Sequence, residues 1–188
     1  MKNLLLLFLL HVIISPEKDF YEKLSDAAIS VTKDNVEYDG RYYQIKYPGG
    51  DVPKGKGVCT DVVIRSYRKL GIDLQKEVHE DMKANFAKYP KSWRLKTTDT
   101  NIDHRRVPNL QVFFSRKGQS LPITNTAAEY KPGDIVTWML PANLPHIGLV
   151  VNRKSGSRYM VVHNEGYGQV LDDCLFRYKI TGHFRYKK

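Results

Sequence analysis

The stretch Tyr47-Pro-Gly-Gly-Asp-Val-Pro-Lys-Gly-Lys-Gly-Val-Cys59-Thr-Asp-Val-Val-Ile-Arg-Ser-Tyr-Arg-Lys-Leu70 sets one cysteine between a glycine-rich approach and an amphipathic run. Glycine and proline punctuate the approach, and the apolar spacing after it predicts a helix over Thr60 to Leu70 that stops at Gly71. Cys59 then stands at a helix mouth. Backbone N–H groups there lack partners and carry partial positive charge, which favours thiolate over thiol. This position predicts a solvent-reachable nucleophile of lowered pKa. The N–H groups of Cys59 and Thr60 are the expected donors to an oxyanion formed beside it.

Other helices read outward from this one. Phe20, Leu24, Ala27, Ala28 and Val31 recur at helical spacing over Glu17 to Thr32, with Ser15-Pro16 as the expected cap. Leu74, Val78, Met82, Phe86 and Tyr89 share another helical face, and Leu110, Phe113 and Phe114 predict a short helix ending at Gly118. A short strand is expected over Tyr42 to Tyr47. After Pro122 the pattern turns to strands: Asp134 to Met139, His146 to Val151, Arg158 to His163, and runs at Leu175 to Ile180 and His183 to Tyr186. Helices first and strands second predict an α+β domain over residues 16–188, with an antiparallel sheet packed on the Cys59 helix.

Two histidines fall on the expected hairpin. Symmetric closure of the turn Asn152 to Ser157 sets Val151 opposite Arg158 and His146 opposite His163, close enough for one ring to orient the other. A one-residue bulge would set Asn164 opposite instead. A cysteine followed far downstream by such histidines suits a cysteine hydrolase. In that chemistry His146 takes the thiol proton and Cys59 attacks a carbonyl. His104, flanked by Asp103 and Arg105-Arg106, could position substrate carboxylates with the arginines or serve as the base in place of His146. The opposing view is a loop held by its own ion pairs.

The chain has 188 residues, 41% of them hydrophobic and 27% charged, with a net charge of +10. That balance is ordinary for a globular domain and points to an anionic partner. A basic start and an apolar run from Leu4 to Ile14 read as a signal peptide or short anchor over residues 1–15. An exported, monomeric protein is therefore expected, touching membrane only through an uncleaved N-terminus. Outside the cytoplasm the expected anionic partner is peptidoglycan or another cell-wall polymer, with a membrane surface as the alternative. The basic and aromatic stretch Lys88 to Lys96 carries no nucleic-acid-binding motif, so nucleic acid is not expected. The two cysteines, Cys59 and Cys174, could pair into a disulfide, or Cys174 could be a buried apolar residue.

Several motifs together resemble the NlpC-type branch of the papain-like cysteine peptidases. They are Tyr47-x-Gly-Gly ahead of Cys59, Pro132-Gly-Asp-Ile-Val-Thr-Trp138, His146-Ile-Gly-Leu-Val-Val151, and a strand ending in His163. More closely, Gly57-Val-Cys-Thr-Asp-Val-Val-Ile-Arg65, Val78-His-Glu-Asp-Met82, Asn101-Ile-Asp-His-Arg-Arg-Val-Pro-Asn-Leu110 and Leu144-Pro-His-Ile-Gly148 resemble an uncharacterised bacterial family of that superfamily, domain-of-unknown-function family 1287. The resemblance implies a papain-like, NlpC-type fold, with Cys59 as nucleophile, His146 as base and His163 as third member. It also implies hydrolysis of amide bonds in peptidoglycan peptides through an acyl-thioester, without cofactor or metal. Where the NlpC-type pattern reads Asp-Cys-Ser-Gly, this chain reads Val58-Cys59-Thr60-Asp61. Substrate-binding candidates are Tyr47, Asp61, His104, Arg105, Arg106 and Asn164. Competing readings are a non-catalytic wall-binding module, a papain-like acyltransferase, and a zinc hydrolase using His104, His146, His163 and an acid. The last lacks any His-Glu-x-x-His support.

Overall fold

The helices form where apolar residues recur every three to four positions, and each has a local reason to start where it does. The computed structural model describes residues 17–188, so the segment read as an export signal lies outside the described residues. Helix α1 (Phe20–Val31) begins at Asp19, whose carboxylate accepts the Glu22 N–H while Glu22 accepts the Asp19 N–H. That reciprocal capping box moves the start past the Ser15-Pro16 expected from sequence. Helix α2 (Cys59–Arg68) has Val58 at its cap, which offers no acceptor, and Asp61 supplies the return half by accepting the Val58 N–H at 2.7 Å. Helix α3 (Leu74–Ala84) is capped by Asp73, and α4 (Val107–Lys117) carries Pro108 in its first turn.

Two short strands, β1 (Glu37–Tyr38) and β2 (Lys56–Gly57), pair in parallel just ahead of α2. The remaining strands are β3 (Gln119–Ser120), β4 (Ile135–Leu140), β5 (Leu144–Ser155), β6 (Arg158–His163), β7 (Val170–Asp172) and β8 (Lys179–Arg185). They form an antiparallel sheet in the order β3-β8-β4-β5-β6-β7. The molecule is thus α+β, with N-terminal helices packed on a C-terminal antiparallel sheet. Strand alternation divides the core. Ile135, Ile147, Leu149, Val151, Val162 and Phe184 face the helices, against Leu24, Val62, Val63, Leu110 and Phe113. Val136, Trp138, Val150 and Val161 point the other way and are covered by Tyr130, Cys174 and Leu175. Among the described residues no helix is long and apolar enough to cross a membrane.

Two strand expectations fail for identifiable reasons. Residues 42–47 do not join a sheet, and side chains take groups a ladder would use: Asn101 Oδ1 accepts the Ile45 N–H at 2.9 Å and Gln75 Nε2 donates to the Lys46 carbonyl at 2.9 Å. Leu175 belongs to a turn whose carbonyl accepts the Trp138 indole N–H at 2.9 Å, and the strands beside it are β7 and β8 instead. The helix expected to run through Tyr89 ends at Ala84 and gives way to a single 3-10 turn.

One buried ion pair ties the front of the molecule together. Arg105, in the 3-10 turn Asp103–Arg105, donates to both oxygens of Asp61 at 3.0 to 3.1 Å, with both side chains almost fully buried. Its remaining donors reach the carbonyls of Arg41 and Asp39 at 3.1 and 3.2 Å. Removing one member of such a pair strands the other charge in a low-dielectric interior. Arg105→Ala should therefore lower stability by about 3–5 kcal/mol in urea melts, well beyond the effect of a surface arginine such as Arg153→Ala.

Candidate active site

Cys59 is the first residue of α2, and the backbone N–H groups of Cys59, Thr60 and Ile147 all face its sulfur and favour the thiolate. Burial outweighs them. With only 5% of the residue exposed, the thiol is pushed up to about 12, and the neighbouring Asp61 carboxylate adds in the same direction. The expectation of a solvent-reachable, low-pKa thiol is overturned: a helix N-terminus contributes less than the loss of water around the sulfur. Cys59 and Cys174 are both free and buried, so the disulfide alternative does not form.

The histidines meet by a register different from symmetric closure. Ser155 pairs with Arg158, a bulge follows between Val150 and Lys154, and the ladder resumes with Val150 opposite Val161 and Leu149 opposite Val162. This places Gly148 beside His163, where a Cβ on the glycine would lie 3.1 Å from the His163 Cβ. His146 sits two residues along on the same face and reaches His163 diagonally, Nε2 to Nδ1 at 2.8 Å. Trp138, paired with His146 across β4 and β5, packs its ring 5.9 Å away. Desolvation, and then the neighbouring His163, lower His146 to about 3, so the ring is neutral at physiological pH. Asn164 faces the opposite way, with its amide 3.5 Å from the Gly57 carbonyl and its Oδ1 accepting the Gly166 N–H.

Behind the pair stands a residue that sequence reading missed. Asp172 pairs with Val161 across β6 and β7, diagonal to His163, and its Oδ2 lies 3.4 Å from His163 Nε2. That nitrogen is buried and has no aligned hydrogen-bond partner among the described residues. Arg177 holds the carboxylate at 2.6 Å. Burial lowers the His163 pKa, and Asp172 opposes that shift. The period-two spacing of Val170 and Asp172 was the available signal, hidden because the run is only three residues long.

Cys59 meets this hairpin through the Ile147 backbone, one residue beyond His146, and makes no hydrogen bond to either imidazole among the described residues. His146 Nε2 is occupied by His163, so the nitrogen left for a thiol is Nδ1. Cys59 borders a cleft of about 230 Å³, walled also by Tyr38, Val58, Trp93, Arg106 and Pro145. Tyr38, Trp93 and Pro145 were not singled out from sequence, since they come from three separated loops and strand ends. Of the substrate-binding candidates, only Arg106 has an uncommitted side chain at this cleft. Asp61 and Arg105 are turned to each other. Thr60 directs its hydroxyl to the Arg105 carbonyl. Tyr47 packs against His79 with ring centroids 5.1 Å apart. His104 is buried and lowered to about 3, first by burial and then by Arg105 and Arg68.

Among the described residues, two donor groups could approach a metal ion: His146, His163 and Glu165, and His163, Asp172 and Cys174, each with its ligand atoms within 4.8 Å of one another. Zinc bound at 2.0–2.3 Å needs donors closer than about 4 Å, and the Arg177 guanidinium already sits on Asp172. His104, required by the zinc reading, is in neither group.

These elements define an α+β protein in which a cysteine-headed helix abuts an antiparallel sheet bearing paired histidines. Residues 25–186 match the family described as domain of unknown function (DUF1287), and the chain belongs to that family. It is 48% identical over 165 residues, 87% of this chain and 80% of the relative, to "Uncharacterized protein YijF" of Escherichia coli (strain K12). Similar solved structures include NlpC1 from Trichomonas vaginalis, at 17% identity and a TM-score of 0.47, covering 92% of this chain and 47% of that one. The chain thus spans about half the length of NlpC1. Another is an N-acetylmuramoyl-L-alanine amidase from Bacteroides uniformis, at 12% identity and a TM-score of 0.48, covering 89% and 99%.

A histidine depressed below its ordinary 6.5 binds its proton more readily in the unfolded chain, so unfolding takes up protons between about 3 and 6.5. Stability should therefore fall as pH drops through that window. Urea midpoints measured at pH 7 and pH 4.5 should show a smaller acid loss for His104→Gln than for the parent protein.

Proposed function

We propose that this protein is a cysteine hydrolase that cleaves amide bonds in cell-wall peptides through an acyl-thioester on Cys59. The observation that carries the reading is the 2.8 Å contact of His146 and His163 on the hairpin against which the Cys59 helix begins. The motif likeness to NlpC-type peptidases supports the substrate class, and the +10 charge suits an anionic wall.

In this reading the resting pair is a neutral thiol and a neutral imidazole, because burial disfavours both charged forms. Nucleophile–base contacts are commonly long before substrate binds and tighten with it. His146 Nδ1 takes the thiol proton as sulfur attacks the carbonyl carbon. For His163 to accept from His146 at Nδ1, its own proton must lie on Nε2, where Asp172 is the facing acceptor. The imidazolium at His146 is thereby stabilised through His163 by a carboxylate. Backbone N–H groups of Cys59 and Thr60 are the donors assigned to the oxyanion. His146 then returns the proton to the leaving amine, and water releases the acyl group. The enzyme is taken to work as an exported monomer without a cofactor.

Digestion of purified peptidoglycan, with fragments identified by mass, tests the reading directly. Cys59→Ala should abolish release, lowering the rate by roughly 10⁴-fold or more, and His146→Ala should do nearly the same. His163→Ala should cost about a hundredfold or more in kcat with little change in KM, Asp172→Asn less, and Asn164→Ala least. Fragment release undiminished in Cys59→Ala would sink the proposal. Burial of the thiol further predicts that iodoacetamide labels Cys59 in the native protein at pH 8 far more slowly than it labels a free thiol, and urea should abolish the difference.

A further inference from the structure

Arg106 is the one charged side chain of the Cys59 cleft with no carboxylate partner among the described residues. Arg105, the other arginine of the cleft wall, is neutralised by Asp61. The Arg106 guanidinium carbon lies over the Trp93 ring, 4.2 Å from its centroid, and its Nη1 is buried without an acceptor among the described residues. Such an N–H costs free energy for as long as it stays unpaired, and the planar fork around it matches a carboxylate with two parallel hydrogen bonds. Partial burial disfavours the charge further, which an anion alongside would relieve. The other walls are apolar or aromatic: Tyr38, Val58, Trp93 and Pro145, enclosing about 230 Å³. That volume suits one amino-acid unit of a longer chain.

We propose that Arg106, held by Trp93, binds a free carboxylate that the substrate carries on the residue next to the carbonyl attacked by Cys59. The enzyme would then select peptides with an unmodified carboxylate at that position and discriminate against their carboxamide counterparts. Trp93 acts as the platform that orients the fork, and Arg105 and His104 take no part. The inference deepens the hydrolase reading and rests on it for the identity of the peptide, whereas the recognition of a carboxylate is measurable without turnover.

The test is calorimetric titration of the Cys59→Ala protein with a wall stem tetrapeptide and with the same peptide bearing carboxamides in place of its carboxylates. A charge-assisted hydrogen bond is worth roughly ten- to a hundredfold in affinity, so the acid should bind at least about tenfold tighter than the amide. Arg106→Gln in the same background should bring the two within about twofold, and Arg106→Lys, which keeps charge and loses the fork, should fall between. Thermal melts verify folding, and the comparison on the unmodified cleft stands even if Arg106→Gln does not fold. Equal binding of acid and amide, a preference that survives Arg106→Gln, or binding of neither peptide would overturn the inference. Selective binding of the acid, with the Cys59-intact protein leaving it uncut, would instead refute the hydrolase reading and keep the carboxylate site.

Discussion

The pairing of Asp61 with Arg105 is the constraint on which the front of this molecule depends. Asp61 lies one turn into the cysteine helix and also accepts the Val58 N–H, so one carboxylate sets both the start of the helix and the place of Cys59. Arg105 carries the same tie outward, to the carbonyls of residues 39 and 41 and, through its own carbonyl, to the Thr60 hydroxyl. Both side chains are almost fully out of water, so removing either would leave the other's charge buried without compensation. The neighbouring Arg106 is excluded from this network and left facing Trp93. Adjacent arginines in one short turn thus do opposite work: one is consumed by the fold, the other is left for the cleft.

A second theme is the balance between helix-terminus electrostatics and desolvation. Three backbone N–H groups aimed at one sulfur would lower its pKa in a wet site, yet the enclosed thiol ends up raised. The same burial pushes His146 the other way. Thiol and imidazole are therefore both neutral at rest, and in the proposed hydrolysis charge separation is assigned to the moment when substrate fills the cleft. The line His146, His163, Asp172 crosses three neighbouring strands on one sheet face. It offers a route for stabilising that charge without exposing the rings to water.

The sheet explains why the histidine contact survives an error in register. Symmetric closure predicts direct opposition, whereas the observed ladder shifts His163 to Gly148. A two-residue displacement preserves the face a side chain occupies, so His163 still meets His146 and Asn164 still points to the other side. The bulge near Val150 and the tight closure between Ser155 and Arg158 together produce this even shift. Gly148 permits it, since a Cβ there would come within 2.7 Å of Val161.

The sequence by itself determined the order of helices and strands, the place of Cys59 at a helix start, β6 from Arg158 to His163, and the histidines that share a hairpin face. Each follows from local periodicity or from turn chemistry, which act over a few residues. Only tertiary structure decided that residues 42–47 stay out of the sheet, that Asp172 backs His163, that Trp93 covers Arg106, and that the thiol is shielded from water. These outcomes depend on groups far apart in the chain competing for the same partners and on how completely the packed elements exclude solvent. Asn101 claims a strand's N–H, Asp61 claims one arginine of two, and burial overrides a helix dipole. No short window of residues contains those competitors, so their resolution belongs to the folded molecule alone.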